Sequence, residues 1–456
     1  MQRCLAIALL TWKAAFRFRL FWVLTALLLL SVVLLPLLIK DDGTARGFTQ
    51  ILLTYTLSVI TGLLGLATLW LACGTLAKDI EECQLQMVAV KPIARWQIWL
   101  GKWLGLVFLN LVLLAVAGAS VYGLLHYRAN RLPAREQQVL RREIMVARGS
   151  LKPPKPNLEA EVQRLFQQRV QQTRIPESEY PELRNQLMEL VQAAQQVALP
   201  GYAKDWTIDI GLRRALLKDE PLFVRVKFFV AQTNATGSYL TRWQIGPPDR
   251  AQIQDLILAA ETPHEFAIPP NLFDDQGRLF VRMFNGEPTT MVIPLDDGFE
   301  VLYREGGFGL NFLRGLLIIA CWLALLAALG LAAATFLSFP VAAFFAVSIL
   351  FVVLSSGTLA TTITEGTILG VNHETQRPTA VWLDFMLLPV FKGLLAVINV
   401  VKDFSPVESL STGRSITWLE LLKAFGQIVL FMGGCVAALG MGILTRRELA
   451  TAQPQV

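Results

Sequence analysis

The side chains best placed to do work by charge crowd into one short stretch, Ala77 to Lys102. There Lys78, Asp79, Glu81, Glu82, Lys91 and Arg95 lie between two long apolar runs. Ile80, Leu85, Val88 and Ala89 fall at rough helical spacing, and Pro92 lacks the N–H that a helix interior needs, so the stretch reads as a short amphipathic helix ended at Pro92. Charges on one side and an apolar stripe on the other suit docking against a second protein, with the charges setting register. A plain solvated loop is the other reading, and a loop has no need of the stripe.

Other chemistry is sparse. His126, His264 and His373 are far apart and sit in no HExxH or GxSxG setting. The phosphate loop GxxxxGK[ST] is absent, so the chain is not expected to bind ATP itself. Asp274-Asp275 and Asp296-Asp297 lack the spacing of a calcium loop and stand beside turns, which makes hairpins the better reading. Cys4, Cys73, Cys83, Cys321 and Cys435 form neither a CxxC pair nor a disulfide framework. Neither catalytic, cofactor nor metal residues are assigned.

The elements that must hold the charged stretch are apolar. Of 456 residues, 54% are hydrophobic, too many for one soluble domain of this size. The chain therefore reads as a polytopic α-helical membrane protein. Residues 1–18 carry Arg3, Lys13 and Arg17 among Leu5, Ile7, Leu9, Trp12 and Phe16, the pattern of an amphipathic elbow helix in the membrane interface. Apolar runs Phe21–Ile39, Ile51–Leu76, Trp99–Leu125, Leu310–Leu337, Pro340–Thr361 and Leu421–Leu444 predict six transmembrane helices, three in 19–126 and three in 308–449. The first is read as uncleaved. A seventh run, Asp384 to Val401, contains Asp384, Pro389 and Lys392; charges at bilayer depth are costly, so a re-entrant or interfacial segment over 380–402 suits it better than a span. Glu365, Asp384 and Lys392 border that run and are candidates for an outer gate.

Between the apolar parts lies a polar block, 127–307, in which 23 Lys/Arg balance 23 Asp/Glu, so the whole excess of +6 sits on the apolar remainder. Such a balance fits membrane orientation and not nucleic-acid binding. Basic residues cluster at one set of loop ends, including Lys78, Lys91, Arg95, Lys102, Arg446 and Arg447, which predicts cytoplasmic termini and a cytoplasmic stretch 78–98. By parity the block is extracytoplasmic. It reads as α+β: helical over 127–200, then period-two segments LFVRVKFFV, SYLTRWQI, RLFVRMF and TTMVIPL within 201–307, the pattern of a β-sandwich. Residues 450–456 form a short cytoplasmic tail.

The charged stretch resembles the turn between the second and third spans of the ABC-2 family of ABC exporter permeases (type V exporter-like). The matching residues are Glu82, the apolar run Leu85 to Val90, Pro92-Ile93-Ala94-Arg95 and Gly101-Lys102, with Cys83-Gln84 where the family usually has Gly-Thr. Asp403-Phe404-Ser405-Pro406, Gly413 and Arg446-Arg447-Glu448-Leu449 are similar to the pattern around the family's last span. The resemblance covers residues 1–126 and 308–449 and leaves the polar block aside. It implies the transmembrane subunit of an exporter in the inner (plasma) membrane, paired with a second copy or close relative. ATP and Mg would be held by separate ATPase subunits docking on Glu81, Glu82, Gln84, Leu85, Val88, Pro92 and Arg95. The alternative is an ATPase-coupled membrane anchor or scaffold whose outer domain binds an envelope protein or polymer. A membrane-embedded enzyme is disfavoured by the lack of clustered His, Asp or Ser in the apolar runs.

Overall fold

The computed structural model describes residues 2–17, 19–38, 45–84, 93–140, 144–172, 176, 180–211, 217, 219–295, 297–355, 381–402 and 404–447. The chain divides into two compact units, a helical one (1–146 with 307–456) and a second one (147–306).

In the helical unit the first apolar run forms α2 (Arg19–Leu38), preceded by the amphipathic α1 (Gln2–Arg17). The second and third runs become α3 (Ala45–Glu81) and α4 (Arg95–Ala129), longer than hydropathy alone marked because the charged residues at their facing ends join the helices. Among the described residues four helices are long and apolar enough to cross a membrane: Thr49–Glu81 within α3, α4, Phe308–Ala334 and Trp418–Arg446. The fifth run forms Phe339–Leu354, at 16 residues about 24 Å long by helical rise. Its expected continuation to Thr361 lies outside the described residues. At the seventh run there is a 22-residue helix, Val381–Lys402, with Pro389 inside it, followed by the short helix Pro406–Ser411. The last apolar helix changes to π-helical winding over Phe425–Gly433.

Small residues bring these helices close. A Cβ on Gly330 would come 2.7 Å from the Ala72 Cβ, whereas one on Gly62 would have nothing within 4 Å. Helix α1 docks closely on α4. A Cβ at Gly101 would lie 2.7 Å from the Ile7 Cβ, and one at Gly105 would lie 2.8 Å from the Ala8 carbonyl oxygen. Cys4, Ile7, Thr11 and Ala15 supply the buried stripe of α1, and Leu5, Leu9 and Leu10 stay exposed on its other side.

The second unit holds two four-stranded sheets around one core. Strand order is β1 (Val146–Leu151), β11 (Phe299–Gly307), β4 (Leu222–Val226), β8 (His264–Ile268) in one, and β3 (Ala203–Asp209), β9 (Arg278–Asn285), β6 (Ser238–Ile245), β7 (Gln252–Ala259) in the other, while the two-residue strands β2 (Val197–Ala198), β10 (Met291–Val292) and β5 (Phe229–Val230) pair in that order. Val224, Phe299 and Val301 from the first sheet meet Tyr239, Trp243, Leu279 and Met283 from the second. The Trp206 and Phe299 rings stack there at 4.3 Å. The expected helical part is interrupted. Helices Leu158–Gln172 and Tyr180–Gln196 form, packed on each other through Val162, Leu187 and Val191, but β1 and the two-residue strand Val197–Ala198 also fall within 127–200. Strand β1 reads VARGSL, with the buried Arg148 reaching Glu265 and the exposed Ser150 reaching Glu300, so it carries no apolar alternation to find.

Candidate functional site

The described parts of the charged stretch are the two helix ends that flank it. Helix α3 runs through Lys78 and Asp79 to Glu81, and a turn follows at Glu82 and Cys83. Cys83 adopts a positive φ of 55°, and the exposed Gln84 amide donates to the Glu82 carboxylate at 2.6 Å. Leu85, Val88 and Pro92, the apolar members of the expected docking face, lie outside the described residues. Ala94, extended at φ −69° and ψ 143°, starts α4 at Arg95.

Each of the longer-reaching charges here closes a helix end within the same unit. The Glu81 carboxylate accepts the N–H of Phe339 at 2.9 Å, which places an anion on the N-terminus of helix Phe339–Leu354, where the helix dipole favours it. Arg95 donates through Nη1 to the carbonyls of Leu444, Thr445 and Arg447 at 2.8 to 2.9 Å, satisfying acceptors at the C-terminal end of Trp418–Arg446. Arg447 in turn donates to the carbonyl of Thr335, the C-cap of Phe308–Ala334, at 2.7 Å. Between α3 and α4, the buried Lys102 ammonium meets Asp79 at 2.6 Å and the Thr75 carbonyl at 2.8 Å. Five helix ends are thereby joined by charge at one end of the unit.

Sequence reading found the charges and missed their partners. Lys102, one of the basic residues that set the predicted orientation, is 7% exposed and paired. Glu81 and Arg95 were assigned to a partner protein, and both have bonding partners in this chain. Gln84 and Glu82, the other two described members of the set, are exposed and bonded to each other. The one signal that would have found the α1 contact is the small-xxx-small spacing of Gly101 and Gly105. No sequence signal pairs Arg95 with carbonyls about 350 positions away.

Of the residues expected at an outer gate, Glu365 and the side chain of Asp384 lie outside the described ones, and Lys392 is exposed on helix Val381–Lys402. Among the described residues no group of three or more His, Cys, Asp or Glu could hold a metal ion. A polar contact deep in the unit is Thr68 Oγ1 donating to Asn110 Oδ1 at 3.0 Å, between α3 and α4.

Compared with protein-family models, with curated proteins and with solved structures, the chain matches none.

Proposed function

We propose that the chain is the transmembrane permease subunit of an ABC exporter, moving a substrate outward with ATP hydrolysed, with Mg, on a separate nucleotide-binding subunit. It crosses the membrane six times, with a re-entrant segment at 380–402 and both termini in the cytoplasm. Helix α1 lies in the interface, the unit 147–306 is extracytoplasmic, and a second copy or close relative completes the pore.

The observation that carries this reading is the set of charged clamps around Glu81 and Arg95. A partner pushing on the turn at Glu82 and Gln84 moves α3 and α4 together, because Lys102 and Asp79 join them. Through Glu81 and Arg95 the same push reaches helices Phe339–Leu354 and Trp418–Arg446. Packed helices of this kind move as rigid bodies, so a small tilt at the turn becomes a tilt of the bundle. Glu81 and Arg95 then act by holding the lever, and Glu82 with Gln84 remains to meet the partner.

The test is cross-linking from Gln84→Cys, in a Cys83→Ser background, to an ATPase that carries a phosphate loop and is encoded beside this chain. A cross-link whose yield changes with ATP is the expected result. No such ATPase, or no cross-link in either nucleotide state, overturns the reading.

A second reading, an ATPase-coupled scaffold whose outer unit grips an envelope partner, is favoured by strand β7. It ends its sheet with Ile253 and Ile257 exposed at 66% and 73%. Deleting 147–306 separates the two: a scaffold loses all function while stimulation of the ATPase persists.

A further inference from the structure

Helix Phe308–Ala334 carries a second cationic site, about 30 Å along its axis from the clamp at Thr335. Buried Asn311 holds the segment 414–416 against this helix: its Nδ2 donates to the Arg414 carbonyl at 2.8 Å, and its Oδ1 accepts the Ile416 N–H at 2.7 Å. Beside it, half-buried Arg314 donates from Nη1 to the Ile416 carbonyl and lies 5.0 Å from the Trp418 ring centroid. Among the described residues no carboxylate pairs with Arg314, and its Nε and the Ser415 hydroxyl have no hydrogen-bond partner. Glu420, the acid of the following helix, is engaged by the Thr417 backbone in a capping box. A guanidinium offers five N–H donors, and one carbonyl plus one ring leaves most of that capacity and all of the charge unmatched.

The surroundings name the kind of acceptor. Trp418, Leu419 and Leu422 are 57%, 64% and 72% exposed, and Leu310 and Leu313 are exposed on the helix that bears Arg314. An exposed tryptophan among outward leucines at the end of an apolar helix is the arrangement of a bilayer interface, where lipid phosphates lie within reach of an arginine. Helix Trp418–Arg446 also begins here, so its N-terminal dipole adds positive potential. Donors, positive charge and an apolar flank together fit an oxyanion carried on acyl chains.

We propose that Arg314, with Ser415 and Trp418, binds the phosphate of an anionic phospholipid in the leaflet at this end of the helical unit, the acyl chains lying against Leu310, Leu313 and Leu422. Arg314 holds the charge, Ser415 adds a donor, and Trp418 fixes the guanidinium plane. The site depends on the chain being in a membrane and is independent of any exporter activity.

The test uses the full chain in nanodiscs containing phosphatidylglycerol or phosphatidylcholine with brominated acyl chains, reading quenching of Trp418 as the difference between the native chain and Trp418→Phe. Phosphatidylglycerol is expected to quench Trp418 severalfold more at equal mole fraction. Arg314→Leu is expected to abolish that preference and Arg314→Lys to lower it by less, since a severalfold preference is the scale on which a charge-assisted hydrogen bond to phosphate contributes. Ser415→Ala, a milder change, gives a smaller loss and keeps the test alive if Arg314→Leu does not fold. Equal quenching by the two lipids, or a preference that survives Arg314→Leu, overturns the proposal. Relief of quenching by millimolar inorganic phosphate reassigns the site to the free anion and overturns the lipid assignment.

Discussion

In the helical unit charged side chains close helix ends, whereas in the second unit they run across strands. Glu81, Arg95 and Arg447 each reach one terminus and meet backbone groups that the helix itself leaves unsatisfied. In the sheet β1-β11-β4-β8 the register sets Glu265, Arg225 and Glu300 opposite one another on neighbouring strands. Arg225 donates to Glu265 at 2.7 Å and to Glu300 at 2.9 Å, Arg148 joins Glu265 at 2.9 Å, and Ser150 donates to Glu300 at 2.6 Å. These four charges are at most 11% exposed at their side chains. The backbone explains the difference. A helix in an apolar bundle satisfies its own interior and leaves polar groups only at its ends, whereas a sheet face presents every second side chain to the next strand.

The largest effect is expected where a buried charge loses its partner. Arg225→Ala should cost about 3–5 kcal/mol by leaving Glu300 without a cation and Glu265 with Arg148 alone, read as faster hydrogen exchange across β4 and β11 in the full chain. Replacing all four charged residues with apolar residues of similar volume should be close to neutral. If the single and the quadruple replacement are equally damaging, the network is not held by mutual neutralisation and the comparison fails.

Arg95→Ala removes three carbonyl contacts from a half-buried position, and a loss of about 1.5–3 kcal/mol is expected, read as a lower thermal midpoint and easier proteolysis near Arg446. Arg95→Lys should recover only part of it, because an ammonium has no planar fork to span several carbonyls. A change of similar size, about 1–3 kcal/mol, is expected for Gly101→Val, which forces a side chain into the Ile7 contact and should loosen α1 without disturbing the second unit.

A smaller effect should appear with pH in the second unit. Burial pushes the Lys204 ammonium down from 10.5 to about 8. Between those values the unfolded chain binds the extra proton, so the unit's stability should rise as pH increases from about 8 to 10.5 and stay level below that, measured by denaturant midpoints. Lys204→Met should remove this slope. The least effect is expected at the exposed pair Arg242 and Asp255, whose hydrogen bonds at 2.7 and 2.9 Å hold the Asp255 carboxyl below the usual carboxylate range. Arg242→Ala should leave the midpoint unmoved at neutral pH. A clear shift there would mean that exposed strand pairs in this unit contribute as the buried ones do.

Much of the framework was legible in the chain itself. Long apolar runs interrupted by the charges between Lys78 and Arg95 specify that helices form on either side, since hydrophobic content and charge position are properties of the sequence alone, although the helices extend into the charges at both ends. Period-two segments such as RLFVRMF specify strands for the same reason, and β9 forms there. Strand β1 escaped because Arg148, Gly149 and Ser150 give it no apolar face, and only the Glu265 carboxylate makes Arg148 tolerable in the interior. The roles of the charges were likewise left to tertiary structure. Which carbonyls Arg95 closes, which glycines admit α1, and what Arg314 meets all depend on residues distant in sequence coming within a few ångströms. The sequence determined that charge would gather at the ends of its apolar helices, and the packing of those helices decided whether each charge was joined, as at Glu81 and Arg95, or left open, as at Arg314.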